Sequence, residues 1–131
     1  MKQISVFIEN RLGTLTTILQ LLKSGQIQLH AISIADTVDY GICRMVCDNP
    51  DEAVQILKKN GIAAAMTDIV AIVMNDKPGS AADIVDKFTS EGINLAYLYT
   101  FLLDGQQILA FRPDNHAKAA QIIKDKNFKT I

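Results

Sequence analysis

The feature that most constrains this chain is that it repeats. Shifted by 66 positions without a gap, the sequence superposes like residues on like along nearly its whole length. Gly13 falls on Gly79, Ile18 on Ile84, Ser24 on Ser90, Ile27 on Ile93 and Leu29 on Leu95. Further on, Ile42 falls on Ile108, Asp48-Asn49 on Asp114-Asn115, Ala53 on Ala119, Gln55-Ile56 on Gln121-Ile122 and Lys58 on Lys124. The 131 residues therefore read as two modules, 1–66 and 67–131, joined near "MTDI". Whatever one copy folds into, the other should fold into as well.

Within each copy the hydrophobic period changes in a fixed order. Extended runs come first, "QISVFIE" and "DIVAIVMN". Helical spacing follows at Leu15, Ile18, Leu19 and Leu22, and again at Ala81, Ile84, Val85 and Phe88. Gly25 and Gly92 stand where helix C-terminal caps are expected. Second strands are expected at "LHAISIAD" and "LAYLYTFLL", turns at "TVDYG" and "DGQQ", and third strands at "ICRMVCD" and "ILAFRPD". The segments "PDEAVQILKKNG" and "NHAKAAQIIKDK" read as second helices, capped by Asp48 or Asn49 and by Asp114 or Asn115. Short final strands, "IAAAM" and "FKTI", close each copy. Strand, helix, strand, strand, helix, strand, with crossovers of the usual right hand, gives one antiparallel sheet with both helices on one face. The predicted class is α+β: two tandem ferredoxin-like βαββαβ modules.

A module of about 62 residues is marginal as an isolated core. In addition, "IVAIVM" and "LAYLYTFLL" are apolar at both parities, although a sheet covered on one side alternates apolar with polar. Something else must cover the second face or the edge, and the expectation is a homo-oligomer, a dimer at least.

Composition narrows the function classes. A net charge of -1 and a pI near 6.1 give no global basic field for nucleic acid. The third strands also lack the paired aromatics of an RNA-binding sheet. Glu9 and Arg11 interrupt the opening apolar run before a signal-peptide core forms, and no run approaches the roughly 18 residues of a membrane span. A cytoplasmic protein without nucleic-acid or membrane partners is expected. The two cysteines, Cys43 and Cys47, lie four apart in a strand, roughly 13 Å, too far for a disulfide or a shared metal. HExxH, GxSxG, P-loop and CxxC patterns are absent, and the two histidines, His30 and His116, occupy non-equivalent places in the copies. Catalysis has little to stand on, and no cofactor or metal is implied.

The corners where the first strand of each copy turns into its first helix carry the chemistry. Gly13 and Gly79 let the backbone approach a ligand closely, and the helix-start N–H groups of Thr14, Leu15, Ser80 and Ala81 suit a carboxylate. Asn10 or Asp76 and nearby carbonyls can accept from an ammonium group. The same glycines also serve as ordinary turn residues.

At these corners the chain resembles the ACT domain family, small ferredoxin-like modules that sense amino acids in metabolic enzymes. The resemblance is carried by "IVMNDKPGSAADIVDKFTSEGINLAYL" and "VFIENRLGTLTTILQLLKSGQIQLHAI", where Gln28 stands for Asn94 and Leu12 for Pro78. It implies a small-molecule site in which the corner of one module faces the start of the second strand of its neighbour. Carried over by position, one site uses Asn10, Arg11, Leu12, Gly13, Thr14 and Leu15 with Asn94, Leu95 and Ala96. The other uses Asn75, Asp76, Lys77, Pro78, Gly79 and Ser80 with Gln28, Leu29 and His30. Arg11 and Lys77 either pair with a ligand carboxylate or are merely solvated, and His30 either contacts the ligand or is a partly buried, hydrogen-bonded histidine.

The implied function is a non-enzymatic regulator that binds a free amino acid, with a metabolic enzyme as a partner that senses the bound state. The alternative is a regulatory or structural subunit of a biosynthetic enzyme, similar to the small subunit of acetolactate synthase, with no ligand of its own.

Overall fold

The computed structural model describes residues 1–36 and 38–131. Thr37, part of the expected turn "TVDYG", lies outside them. The chain divides into two compact units, Lys2–Thr67 and Asp68–Ile131, the second of which also takes Met1.

In the first unit the order is β1 (Lys2–Glu9), α1 (Thr14–Ser24), β2 (Leu29–Asp36), β3 (Tyr40–Cys47), α2 (Pro50–Lys59) and β4 (Ala64–Asp68). The sheet runs β2-β3-β1-β4, so β1 and β3 occupy the centre. Period-two alternation along β1 puts Ile4, Val6 and Ile8 into the core, where they meet Ile18 and Leu22 of α1 and Ala53 and Leu57 of α2. Cys43 and Cys47 are free thiols in that core, and burial pushes Cys43 up to about 11.

The second unit repeats the order as β5 (Val70–Met74), α3 (Ser80–Thr89), β6 (Leu95–Leu103), β7 (Gln106–Pro113) and α4 (His116–Asp125). Its sheet is three-stranded, β5-β7-β6. The expected final strand "FKTI" contracts to one bridge, Ile72 with Thr130, plus the bond from Val73 N–H to Lys129 O at 2.8 Å. The core is more aromatic: Phe88 meets Phe111 edge-on at 4.9 Å and stacks on Phe128 at 5.7 Å. Met1 joins this unit through reciprocal bonds with Ile69, its amine to Ile69 O at 3.2 Å and Ile69 N–H to Met1 O at 3.0 Å.

Among the described residues the four helices stop the same way, with a left-handed residue followed by a six-to-one bond. Those residues are Gln26, Gly61, Gly92 and Asn127. The bonds run from Ile27 to Leu22 O, Ile62 to Leu57 O, Ile93 to Phe88 O and Phe128 to Ile123 O, at 2.9 to 3.0 Å. Gly25 is the C-cap of α1, as expected, but at φ -83° it is not the left-handed residue, which is Gln26. A Cβ on Gly25 would press on the end of the Ile56 side chain of α2, which would have to shift.

The structure also separates the paired capping candidates. Asn49 accepts from Glu52 N–H at 3.4 Å and Asn115 from Lys118 N–H at 3.0 Å, so the asparagines cap α2 and α4. Asp48 and Asp114 accept from the N–H groups of Gln28 and Asn94, at 3.0 and 3.2 Å, and return their own N–H to the same residues' carbonyls. Among the described residues, no helix is long and apolar enough to cross a membrane.

Candidate functional site

The strand-to-helix corners are built alike in both modules. At the first, Asn10 N–H donates to Asp39 O at 2.8 Å and its side-chain amide to Val38 O at 3.3 Å, tying the end of β1 to the following hairpin. Arg11 pairs with Glu9 at 3.0 Å on the exposed surface, where such a pair contributes little stability. Leu12 is fully exposed. Gly13 then takes φ +90°, and α1 begins at Thr14. At the second corner Asn75, Asp76, Lys77 and Pro78 are exposed, Gly79 takes φ +88°, and α3 begins at Ser80, which is buried.

Each module thus has one helix capped by an asparagine side chain and one whose cap is a glycine with no side-chain bond at all. The glycine-capped helices are the ones at the corners. Thr14 and Ser80 N–H turn back to Arg11 O and Lys77 O at 3.4 and 3.3 Å, while Thr17 and Asp83 N–H reach Gly13 O and Gly79 O at 3.0 Å. Among the described residues no protein group accepts from Leu15 and Thr16 N–H, or from Ala81 and Ala82 N–H. The free donors therefore lie one residue further along than the sequence suggested: Thr14 and Ser80 are engaged, and Leu15, Thr16, Ala81 and Ala82 are open. Two adjacent amides at the positive end of a helix are a carboxylate or phosphate receptor.

The remaining predicted residues lie elsewhere in each module. Gln28 and Asn94 are fixed by Asp48 and Asp114, and Leu29 and Leu95 pack onto the two cores. His30 and Ala96 are the extra residues of β-bulges, since the register skips from Leu29 to Ala31 and from Leu95 to Tyr97. These strand starts sit beside the C-terminal end of α1 or α3, and the corners sit at the N-terminal end. Within a module one helix of about 16 Å separates corner from strand start, two elements that the expected sites draw from different modules.

Three cavities adjoin the corners. Asn10, Arg11, Thr14 and Leu15 share one of about 170 Å³ with Ile34 and Gly41 on the β2 side. A larger one of about 550 Å³ opens on the other side of the first corner, between Phe7, Tyr40, Thr17 and Ile62. The second corner has its counterpart of about 210 Å³ against Val73, Asp83 and Phe128. Residues such as Glu9, Thr17, Asp83 and Phe128 were not expected at the site. The 66-residue shift pairs Thr17 with Asp83 and Ile62 with Phe128, which is the signal that locates them. His116 is exposed at the start of α4, and no group of three or more His, Cys, Asp or Glu among the described residues is placed to hold a metal. The corners supply fixed donors for an anion.

A family model described as an ACT domain pair matches residues 1–131. The crystal structure of a Bacteroides thetaiotaomicron protein is 34% identical with a TM-score of 0.92, over 99% of this chain and 90% of its own. The ligand-free regulatory subunit of aspartate kinase from Thermus thermophilus matches at 20% identity and TM-score 0.67, over 95% of this chain and 91% of its own. The corresponding subunit from Thermus flavus matches at 22% and 0.62, over 95% and 90%. The two subunits share the fold at these identities, which say nothing of ligands. Comparison with curated proteins finds no match.

Proposed function

Since the chain belongs to the ACT domain family, as a tandem pair, we propose that it is a cytoplasmic regulator that binds a free amino acid at its strand-to-helix corners and performs no chemistry itself. The observation that carries this reading is the selective absence of caps. Asparagine side chains accept from the third amides of α2 and α4, whereas among the described residues the corner helices α1 and α3 have no side-chain cap and leave that third amide and the one before it open, beside a glycine at φ near +90°. Those donors take the α-carboxylate, and the start of a neighbouring module's edge strand, with His30 or Ala96 on its bulge, closes over the side chain.

A ligand can shift a packing equilibrium only by its differential affinity for the two states, so a site closed by a neighbouring module couples binding to assembly. A metabolic enzyme that contacts this assembly would sense the change. That the two Thermus proteins of the same fold are themselves regulatory subunits lends precedent to this arrangement, though only at the level of fold. The test is a thermal-shift screen over the twenty amino acids. One L-amino acid should raise Tm, by about 2.7 kcal/mol of stability at 100 times its dissociation constant. A flat response to all twenty at millimolar concentration would leave the chain as a ligand-free subunit.

The edge strands support assembly with a second copy. Ile32 and Ile34 on β2, and Leu98 and Leu102 on β6, are 42 to 63% exposed on the face that carries the helices. Exposed apolar rows on sheet edges are sites of pairing. Light scattering at micromolar concentration should return at least twice the mass of one chain, 14.4 kDa; a monomer would contradict the assembly.

A further inference from the structure

The cavity behind the second corner lies on the side of the module's last segment, where Phe128 lines it. Val73, Asn75, Lys77, Ser80, Asp83 and Phe128 wall it, and shifting each by 66 reaches a wall of the larger cavity in the first module. A recess kept in both copies is part of the module's architecture. The second copy, however, furnishes it differently.

Ser80 is only 7% exposed, and no protein group is hydrogen-bonded to its hydroxyl, whereas the equivalent Thr14 donates its hydroxyl hydrogen to Arg11 O at 3.0 Å. Among the described residues no fully buried side-chain oxygen or nitrogen lacks a partner, so the Ser80 hydroxyl meets solvent through the recess it lines. In the free chain water bonds this hydroxyl, and a ligand that enters the recess replaces that water as its partner. Around it stand one cation, Lys77, and one anion, Asp83, the latter replaced by Thr17 in the first copy. The recess, about 210 Å³, is less than half the volume of its first-module counterpart, about 550 Å³, which favours a small ligand here.

Resting on the amino-acid reading above, we propose that this recess is a pocket for a small zwitterionic α-amino acid. Its carboxylate meets the Ser80 hydroxyl and the charge of Lys77; its ammonium group meets Asp83. This recess is a second place on the corner, distinct from the one a neighbouring strand would close, and all its walls come from one module. Asp83 makes it selective, because a plain carboxylate would face that anion with nothing to neutralise it. The first-module recess does not share this pattern. Its carboxylate, Glu9, is already paired with Arg11.

Calorimetric titration of the full chain with L-alanine, L-serine and propionate tests this. At least one of the two amino acids should bind, with propionate at least about tenfold weaker. Asp83→Asn, at an exposed position, should remove that preference, and Ser80→Ala should weaken binding about tenfold, both with Tm of the free chain nearly unchanged. Binding of L-alanine or L-serine that survives both substitutions but is lost in Gly79→Val would overturn the pocket and place the ligand on the β6 side of the corner. Binding of larger amino acids only would also overturn the pocket while keeping the regulator. No binding by any amino acid would overturn both.

Discussion

Replacing Phe88 with alanine is expected to unfold the Asp68–Ile131 unit. Phe88 is completely buried, edge-on to Phe111 at 4.9 Å and stacked on Phe128 at 5.7 Å. Truncating a buried phenylalanine costs about 3–5 kcal/mol, because the lost transfer energy is joined by a cavity that neighbours do not refill. A unit of this size holds only about 3–10 kcal/mol in total. The substitution therefore removes a large part or all of that stability. It also frees Phe128, which lies just before the single bridge that stands in for a last strand. Urea unfolding followed by amide NMR should show the resonances of 68–131 collapsing at low denaturant. The equivalent Leu22→Ala in the first unit should cost about 2–5 kcal/mol, with the collapse confined to 2–67. A Tm within a degree of the parent chain for Phe88→Ala would mean the aromatic cluster does not hold the unit together.

The order of elements was legible because the duplication supplies two independent statements of one pattern. Where Leu15, Ile18, Leu19 and Leu22 leave a helix arguable, Ala81, Ile84, Val85 and Phe88 repeat it. What escaped the sequence depends on choices between chemically similar neighbours or on contacts across the fold. Asp48 and Asn49 are both good caps by type, and only the chain direction after β3 decides that Asn49 caps α2 while Asp48 fixes Gln28. Gln26 adopts the left-handed conformation at φ 57° at the position where the second module has Gly92, so the visible glycine, Gly25, stands one residue before the one that turns. The bulges at His30 and Ala96 leave no composition signal, since nothing in either residue type demands them. At the corners, Gly13 and Gly79 were readable and their dihedral angles follow. The walls of the recesses were not, because Ile62 and Phe128 arrive from the far end of each module.

Gly79→Val should separate the corner's structural role from its binding role. At φ +88° and ψ -10° a side chain pays the left-handed penalty, about 1–2 kcal/mol, and a β-branched one stands at the upper end. The penalty is purely one of backbone conformation, since a Cβ at Gly79 would meet nothing within 4 Å. The variant therefore folds, with Tm lowered by several degrees, and relieves its strain by rotating the corner. That rotation moves Lys77 O and the amides of Ala81 and Ala82 away from the positions that make a receptor, and the amino-acid-induced rise in Tm should vanish. Gly79→Asn, which tolerates the left-handed region, should recover most of the stability and the ligand response together. Gly13→Val, at φ +90° and equally free of contacts, carries the same backbone cost in the first module. It should keep the response of the second module while lowering Tm by a similar amount, which rules out general destabilisation as the cause. If Gly79→Val keeps the full ligand-induced rise, the open amides are not the receptor, and the uncapped helices are a consequence of the turn alone.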